Sequence, residues 1–109
     1  MPKQQTDASR QVEAELQWRS RNEGGRSAVP SGPQYITVAR FNSQGDNWEH
    51  SAWSLVVEFF MPPDTSLRHR VKVHFLMKDA PKELLSAGSE FDLMEGARPV
   101  AHGRILNEE

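Results

Sequence analysis

From Gln34 onward, apolar and polar residues alternate in short runs separated by turn residues, the spacing of an antiparallel sheet. Tyr35, Thr37, Ala39 and Phe41 fall on one face of a first run, with Ile36, Val38 and Arg40 on the other. A polar loop from Ser43 to His50 follows, built around Gly45-Asp46-Asn47 and containing Trp48. The next run, Ala52 to Met61, opens on Trp53 and is the most apolar. Trp53, Leu55, Val57, Phe59 and Met61 share its core face, while Val56 and Phe60 make the other face partly apolar too. That pattern predicts a central or covered strand. Pro62-Pro63-Asp64 ends it, because proline has no N–H to give a ladder. A third run extends from Leu67 or Arg68 to Met77, with His69, Val71, Val73, Phe75 and Met77 on one face. Arg68, Arg70, Lys72 and His74 line the other.

Between Asp79 and Gly88 the segment Ala80 to Leu85 fits one helical turn with Pro81 at its first position, placing Leu84 and Leu85 as a plug for one end of a barrel. The stretch Ser86 to Leu106 then reads as a hairpin. Phe91 and Leu93 oppose Asp92 and Met94 on the first arm. The turn is Glu95-Gly96-Ala97-Arg98, and Ala101, Gly103 and Ile105 oppose Val100, His102, Arg104 and Leu106 on the second. Gly96 suits the turn because a residue without Cβ reaches positive φ freely. These five strands, with a sixth expected near Ser43 to Trp48, predict an all-β fold: a small, six-stranded, antiparallel, Greek-key-like barrel spanning residues 34–109.

Residues 1–33 are polar and predict a flexible N-terminal arm. Thr6 or Asp7 could cap a short helix over residues 8–18, with Val12 and Leu16 one turn apart. Two apolar side chains make a thin stripe, and an isolated helix of this length is marginal in water. Asn22, Gly24, Gly25, Pro30, Gly32 and Pro33 mark a linker. Arg10, Arg19, Arg21 and Arg26 with Trp18 suggest an arm that folds on RNA or a partner, against which stands the near-cancellation of five basic by four acidic residues in the arm.

The hairpin motif F-x-L-x-E-G-x-R-x-V-x-x-G-x-[IV], carried by Phe91, Glu95, Gly96, Arg98, Val100, Gly103 and Ile105, resembles the end of the third domain of the translation factor elongation factor Tu. The sequence departs from that family at Ala97, where a second glycine is usual, and at Pro99, Ala101 and His102. The close resemblance covers about twenty residues; the strands before it agree in rhythm more than in identity. It implies a small antiparallel barrel that contacts the T-stem backbone of tRNA, with Glu95 and Gly96 in that contact and Arg98 beside them. A glycine lets RNA approach the main chain and a carboxylate can accept from a 2′-hydroxyl. The plainer reading is an ordinary turn in which Arg98 pairs with Glu95 or Asp92.

Composition narrows the function classes. The chain has 109 residues, a net charge of −2 and no cysteine, which fits a single modest domain and removes disulfides, thiolate metal sites and cysteine nucleophiles. No apolar segment marks a signal peptide or a membrane span, so a cytoplasmic protein is expected. Arg68, Arg70 and Lys72 could meet phosphates, or could be a solvated face opposite Glu58. Residues 34–109 hold eight basic and eleven acidic side chains, where nucleic-acid modules usually carry a basic excess. Trp48 and Trp53 could instead anchor a protein partner.

No cofactor is implied: there is no phosphate-loop motif, and His50, His69, His74 and His102 share no metal-ligand spacing. Glu90 and Asp92 share a face with no base or nucleophile beside them. The chain is therefore expected to be non-catalytic. The partner candidates are structured RNA such as tRNA, which the resemblance implies, and a protein in an interaction or immunity-type accessory role, toward which the acidic balance leans; neither membrane nor DNA is expected.

Overall fold

A computed structural model describes residues 11–26, 28–45 and 52–107. Within it, six strands close into an antiparallel barrel: β1 Val12–Trp18, β2 Gln34–Phe41, β3 Trp53–Phe59, β4 Arg68–Phe75, β5 Glu90–Glu95 and β6 Arg98–Asn107. Their order around the barrel is β1-β4-β3-β2-β5-β6, with β6 returning to β1. Strands β2, β3 and β4 form a meander and β1 lies beside β4, which is the Greek-key arrangement expected from the sequence. Closure leaves no edge strand with unpaired N–H and C=O groups.

The sixth strand is not where the sequence reading placed it. Residues 42–45 turn as 3-10 helix after β2; part of the expected strand, Trp48 included, lies outside the described residues. The missing strand is β1, inside the stretch read as a flexible arm with a helix over residues 8–18. Val12, Ala14, Leu16 and Trp18 are all buried, and Glu13, Glu15 and Gln17 alternate with them. Only a period of two places all four apolar residues on one face. The barrel therefore begins at Val12, and only residues 19–33 connect, running from β1 to β2 at one end of the barrel. The expected caps Thr6 and Asp7 lie outside the described residues.

The interior is filled from every strand. Leu16, Leu55, Val57, Val71, Val73, Phe91 and Leu93 are fully buried, and Phe41 packs against Phe91 and Phe75 at centroid distances of 5.2 and 5.9 Å. Burying one such side chain is worth about 1.5–3 kcal/mol. Leu85, at the end of a 3-10 turn Lys82–Leu85, is buried in the core and Leu84 packs against it, as the plug reading expected. Met61, assigned to the core face from the alternation, lies past the end of β3 and is 46% exposed. Val56 and Met94 are buried on the outer side of the wall, separate from the main core.

The terminal hairpin has the predicted arms and turn. Gly96 takes φ 65° at the first central position of a two-residue loop between Glu95 and Arg98. A bulge then alters the register: Met94 pairs with Pro99 but Leu93 with Ala101, so Val100 is the extra residue. The bulge lets the adjacent Val100 and Ala101 both bury and sets His102 opposite Asp92.

Gly103 is required by the core. A Cβ there would sit 2.4 Å from Phe91 Cζ and 2.8 Å from Leu16 Cδ2, so Phe91 occupies the space a side chain would need. Gly103→Ala is expected to destabilise the barrel by about 1–3 kcal/mol through overpacking, measured as a lower urea midpoint. Phe91→Leu in the same chain should recover part of the loss. A midpoint unchanged by Gly103→Ala would contradict the packing described.

Candidate functional site

The outer wall of the barrel is a belt of alternating charge. One row of neighbours runs Glu58, Lys72, Glu13; a second runs Arg70, Glu15, Arg104, Glu90; a third runs Arg68, Gln17, His102, Asp92, Arg40. Opposite charges directly across a ladder attract and like charges repel. Arg70 Nη2 reaches Glu13 Oε1 at 3.1 Å, and Arg40 Nη2 reaches Asp92 Oδ2 at 2.7 Å. Lys72 extends over the ring of Phe60 at 5.7 Å. The basic face of β4 is thus flanked on both sides by carboxylates of β1 and β3. Arg70 and Lys72 do not form a bare cationic strip; Arg68, at the start of β4, is paired across the ladder with the neutral Gln17.

The residues singled out from the sequence separate between the two ends of the barrel. Trp53 starts β3 at one end, half-buried and packed against the core. Glu95, Gly96 and Arg98 lie at the other end, where β1, β3 and β5 finish and β2, β4 and β6 begin. Arg68 shares that end. Trp48 lies outside the described residues.

At this second end the Glu95 carboxylate is tied down from three sides. Arg26 Nη1 donates to Glu95 Oε2 at 2.5 Å, the Tyr35 hydroxyl donates to the same oxygen, and Arg98 Nη2 donates to Oε1 at 3.2 Å. The Arg26 guanidinium also lies 5.6 Å from the centre of the Tyr35 ring. Burial and then the adjacent carboxylate push the Tyr35 hydroxyl up to about 12. Burial opposes ionisation of Glu95, but hydrogen bonds from Tyr35 and Arg26 outweigh it and hold the carboxyl below its ordinary value. The sequence reading foresaw the Arg98 pairing; it missed Arg26 and Tyr35, which reach Glu95 across 69 and 60 residues of chain.

Beside this cluster is a pocket of about 140 Å³ between the end of β1, the following connection and the turn before β4. Trp18, Ala28, Val29 and Leu67 line its apolar side, and Arg19, Arg21 and Arg26 its polar side. Trp18 is fixed from behind: its Nε1–H donates to His69 Nδ1 at 3.1 Å. His69 therefore carries its proton on Nε2, which donates to the Met61 carbonyl at 2.7 Å. Phe59 stacks on the same imidazole at 5.0 Å and 6°. With both nitrogens used and 2% exposure, His69 is a buried structural histidine.

Leu67 adopts φ 67°, rare for a residue with a bulky side chain. Its carbonyl accepts from Trp18 N–H, and Asp64 Oδ1 takes the flanking amides of Ser66 and Arg68. Five arginines, at 19, 21, 26, 68 and 98, lie at this end of the barrel. Of these, Arg19, Arg21 and Arg68 form no ion pair among the described residues.

His102 defines a second cluster. Its Nδ1 is 2.9 Å from Asp92 Oδ1 and its Nε2 is 2.9 Å from Glu90 Oε1, so both ring nitrogens face acceptors, the geometry of an imidazolium. Burial opposes the charge, but the bonds to Asp92 and Glu90 outweigh it and raise the His102 pKa. Asp92 is lowered: burial acts against ionisation and the bonds from Arg40 and His102 prevail. Among the described residues no group of three His, Cys, Asp or Glu side chains is placed to hold a metal, and no helix is long and apolar enough to cross a membrane.

No protein-family model matches the chain, and a search of curated proteins finds no match either.

The His102 cluster gives a signed pH dependence. A raised histidine contributes stability that is complete below its ordinary value of about 6.5 and is lost as pH rises through the folded value. Asp92, being lowered, contributes stability that is lost only as pH falls below its ordinary range. The urea midpoint should therefore decline modestly from weakly acidic toward alkaline pH, and His102→Gln should flatten that decline. His102 is 45% exposed, so added salt should shrink the effect. A His102 resonance titrating below its ordinary value would contradict the cluster.

Proposed function

We propose that the chain is a non-catalytic binding module that engages structured RNA through the arginine-bearing end of its barrel. The observation that carries this reading is that Arg19, Arg21 and Arg68, which form no ion pair among the described residues, share the end of the barrel that carries the Glu95 to Arg98 turn. Elsewhere on the wall carboxylates interrupt the basic residues of each row. Arginine suits phosphate because its planar fork donates two parallel hydrogen bonds.

The hairpin resemblance to the third domain of elongation factor Tu points to the same turn and to tRNA as the RNA class, with a translation-related role in the cytoplasm. Gly96 is exposed and open space surrounds the position of its missing Cβ, so a backbone could approach its main chain. Glu95 then serves by holding Arg26 and Arg98 at the rim.

One observation favours a protein partner instead: Phe60 and Met61, 49% and 46% exposed, follow β3 at the same end. An aromatic and a thioether left in solvent suit a protein interface more than a phosphate backbone.

Binding of the full chain to bulk tRNA at about 50 and about 200 mM salt separates the two, because several phosphate contacts lose orders of magnitude in affinity across that span. The RNA reading expects salt-sensitive binding that Arg19→Ala with Arg21→Ala weakens about tenfold or more, while Arg70→Ala and Lys72→Ala change it little. Absence of binding at the lower salt would overturn it. Salt-insensitive capture of a protein that requires Phe60 would favour the alternative.

A further inference from the structure

Resting on that reading of the arginine-bearing end, we propose that the pocket beside Trp18 is a receptor for a single nucleotide unit: the phosphate on Arg19 and Arg21, the ring or sugar against the apolar side. Val29 and Leu67 form the pocket's apolar side with the buried Trp18 behind them, and Arg19 and Arg21, which form no ion pair among the described residues, line it as well. At about 140 Å³ it is close to the size of a cavity that holds one benzene ring, about 150 Å³. One base or one ribose fits such a space; a stacked dinucleotide does not.

The charges around the pocket set what it can accept. Arg26 also lines it but is committed, through Nη1 to Glu95 and through Nε to the Ala28 carbonyl. Glu23, the nearby carboxylate of the same connection, accepts the Ser20 N–H at 2.9 Å. Arg19, whose charge also acts on Glu23, and Arg21 form no ion pair among the described residues and are the donors left to meet an incoming anion. A phosphate monoester presents more acceptor oxygens and more charge to a pair of guanidinium groups than a carboxylate does.

The apolar side is held rigidly enough to select shape. Trp18 is locked by His69, and Leu67 is held at positive φ by the Trp18 amide and by Asp64. A backbone conformation of this kind is strained and persists where the surroundings enforce it, often at ligand sites. Here it places Leu67 in the pocket wall.

The ligand chemistry has two sources, a free nucleotide or a terminal or unstacked nucleotide of an RNA, and the test separates them. Isotope-labelled full-length protein is titrated with inorganic phosphate, a nucleoside, the four nucleoside monophosphates, and a short RNA bearing either a 5′-phosphate or a 5′-hydroxyl. Shifts are read at the Trp18 indole N–H and at the Val29 and Leu67 amide and methyl resonances. The proposal expects monophosphates to shift these signals at concentrations where phosphate or nucleoside alone does not. It also expects the 5′-phosphorylated RNA to bind about tenfold more tightly than its 5′-hydroxyl counterpart if the source is an RNA end.

Arg19→Ala with Arg21→Ala, and separately Ala28→Trp to fill the pocket, should abolish the shifts. All three positions are exposed, and unchanged thermal melting verifies the fold. Monophosphates that leave Trp18, Val29 and Leu67 unmoved, or shifts that survive both variants, overturn the nucleotide pocket. Salt-sensitive tRNA binding that persists in Ala28→Trp would overturn the pocket while leaving the RNA reading standing. Monophosphate binding without tRNA binding would support the pocket and remove the RNA reading.

Discussion

Closure of the barrel by β1 is the constraint on which the rest of the structure depends. β1 sits between β4 and β6 and pairs with both, so removing it would expose two strand edges at once. Its inner residues, Val12, Ala14, Leu16 and Trp18, fill one side of the core. Its outer residues, Glu13 and Glu15, face Lys72, Arg70 and Arg104. A single strand thus supplies both an apolar wall and the counter-charge for two neighbours. The acidic balance of residues 34–109 and the basic row on β4 are parts of one belt once β1 is in place.

The same strand organises the candidate site. Trp18 ends β1 and is anchored by His69, whose ring is held in turn by the Met61 carbonyl and by Phe59. From that fixed point the connection runs through Arg19, Arg21 and Arg26 and is tied to the Glu95 turn by an ion pair. The arginines are positioned by the barrel, not carried on a loose arm. That turns a nearly neutral stretch of sequence into a local excess of positive charge at one end of a chain whose net charge is −2.

The strands with strong alternation and aromatic or β-branched content were legible in the sequence, and so were the Gly96 turn and the Leu84-Leu85 plug. β1 was not. Val12 and Leu16 are four apart and fit either period; Glu, Ala, Leu and Gln also favour helix on intrinsic propensity. Ala14 and Trp18 hold the deciding information, because they join Val12 and Leu16 on one face only in an extended chain. The His102 cluster was hidden for a different reason. Without the bulge at Val100, simple counting back from the turn sets Asp92 opposite Ala101; the bulge moves His102 into that place. The Arg26 and Tyr35 partners of Glu95 depend on closure and leave no mark in local sequence. For the run Arg68, Arg70, Lys72 the solvated face opposite Glu58 was legible and Glu58 does pair with Lys72; Glu13 and Glu15, the other carboxylates beside Arg70 and Lys72, lie on the unrecognised strand.

Native-state amide hydrogen exchange over residues 12–18 tests the closure by β1 most directly. Closure predicts that the hydrogen-bonded amides of Val12–Trp18 exchange as slowly as those of Trp53–Phe59 and Arg68–Phe75, and lose protection together with them as urea is added. Fast exchange confined to residues 12–18, with β3 and β4 still protected, would contradict it: β1 would then be a detachable arm on an open five-stranded sheet, and the arginines beside it would have no fixed site.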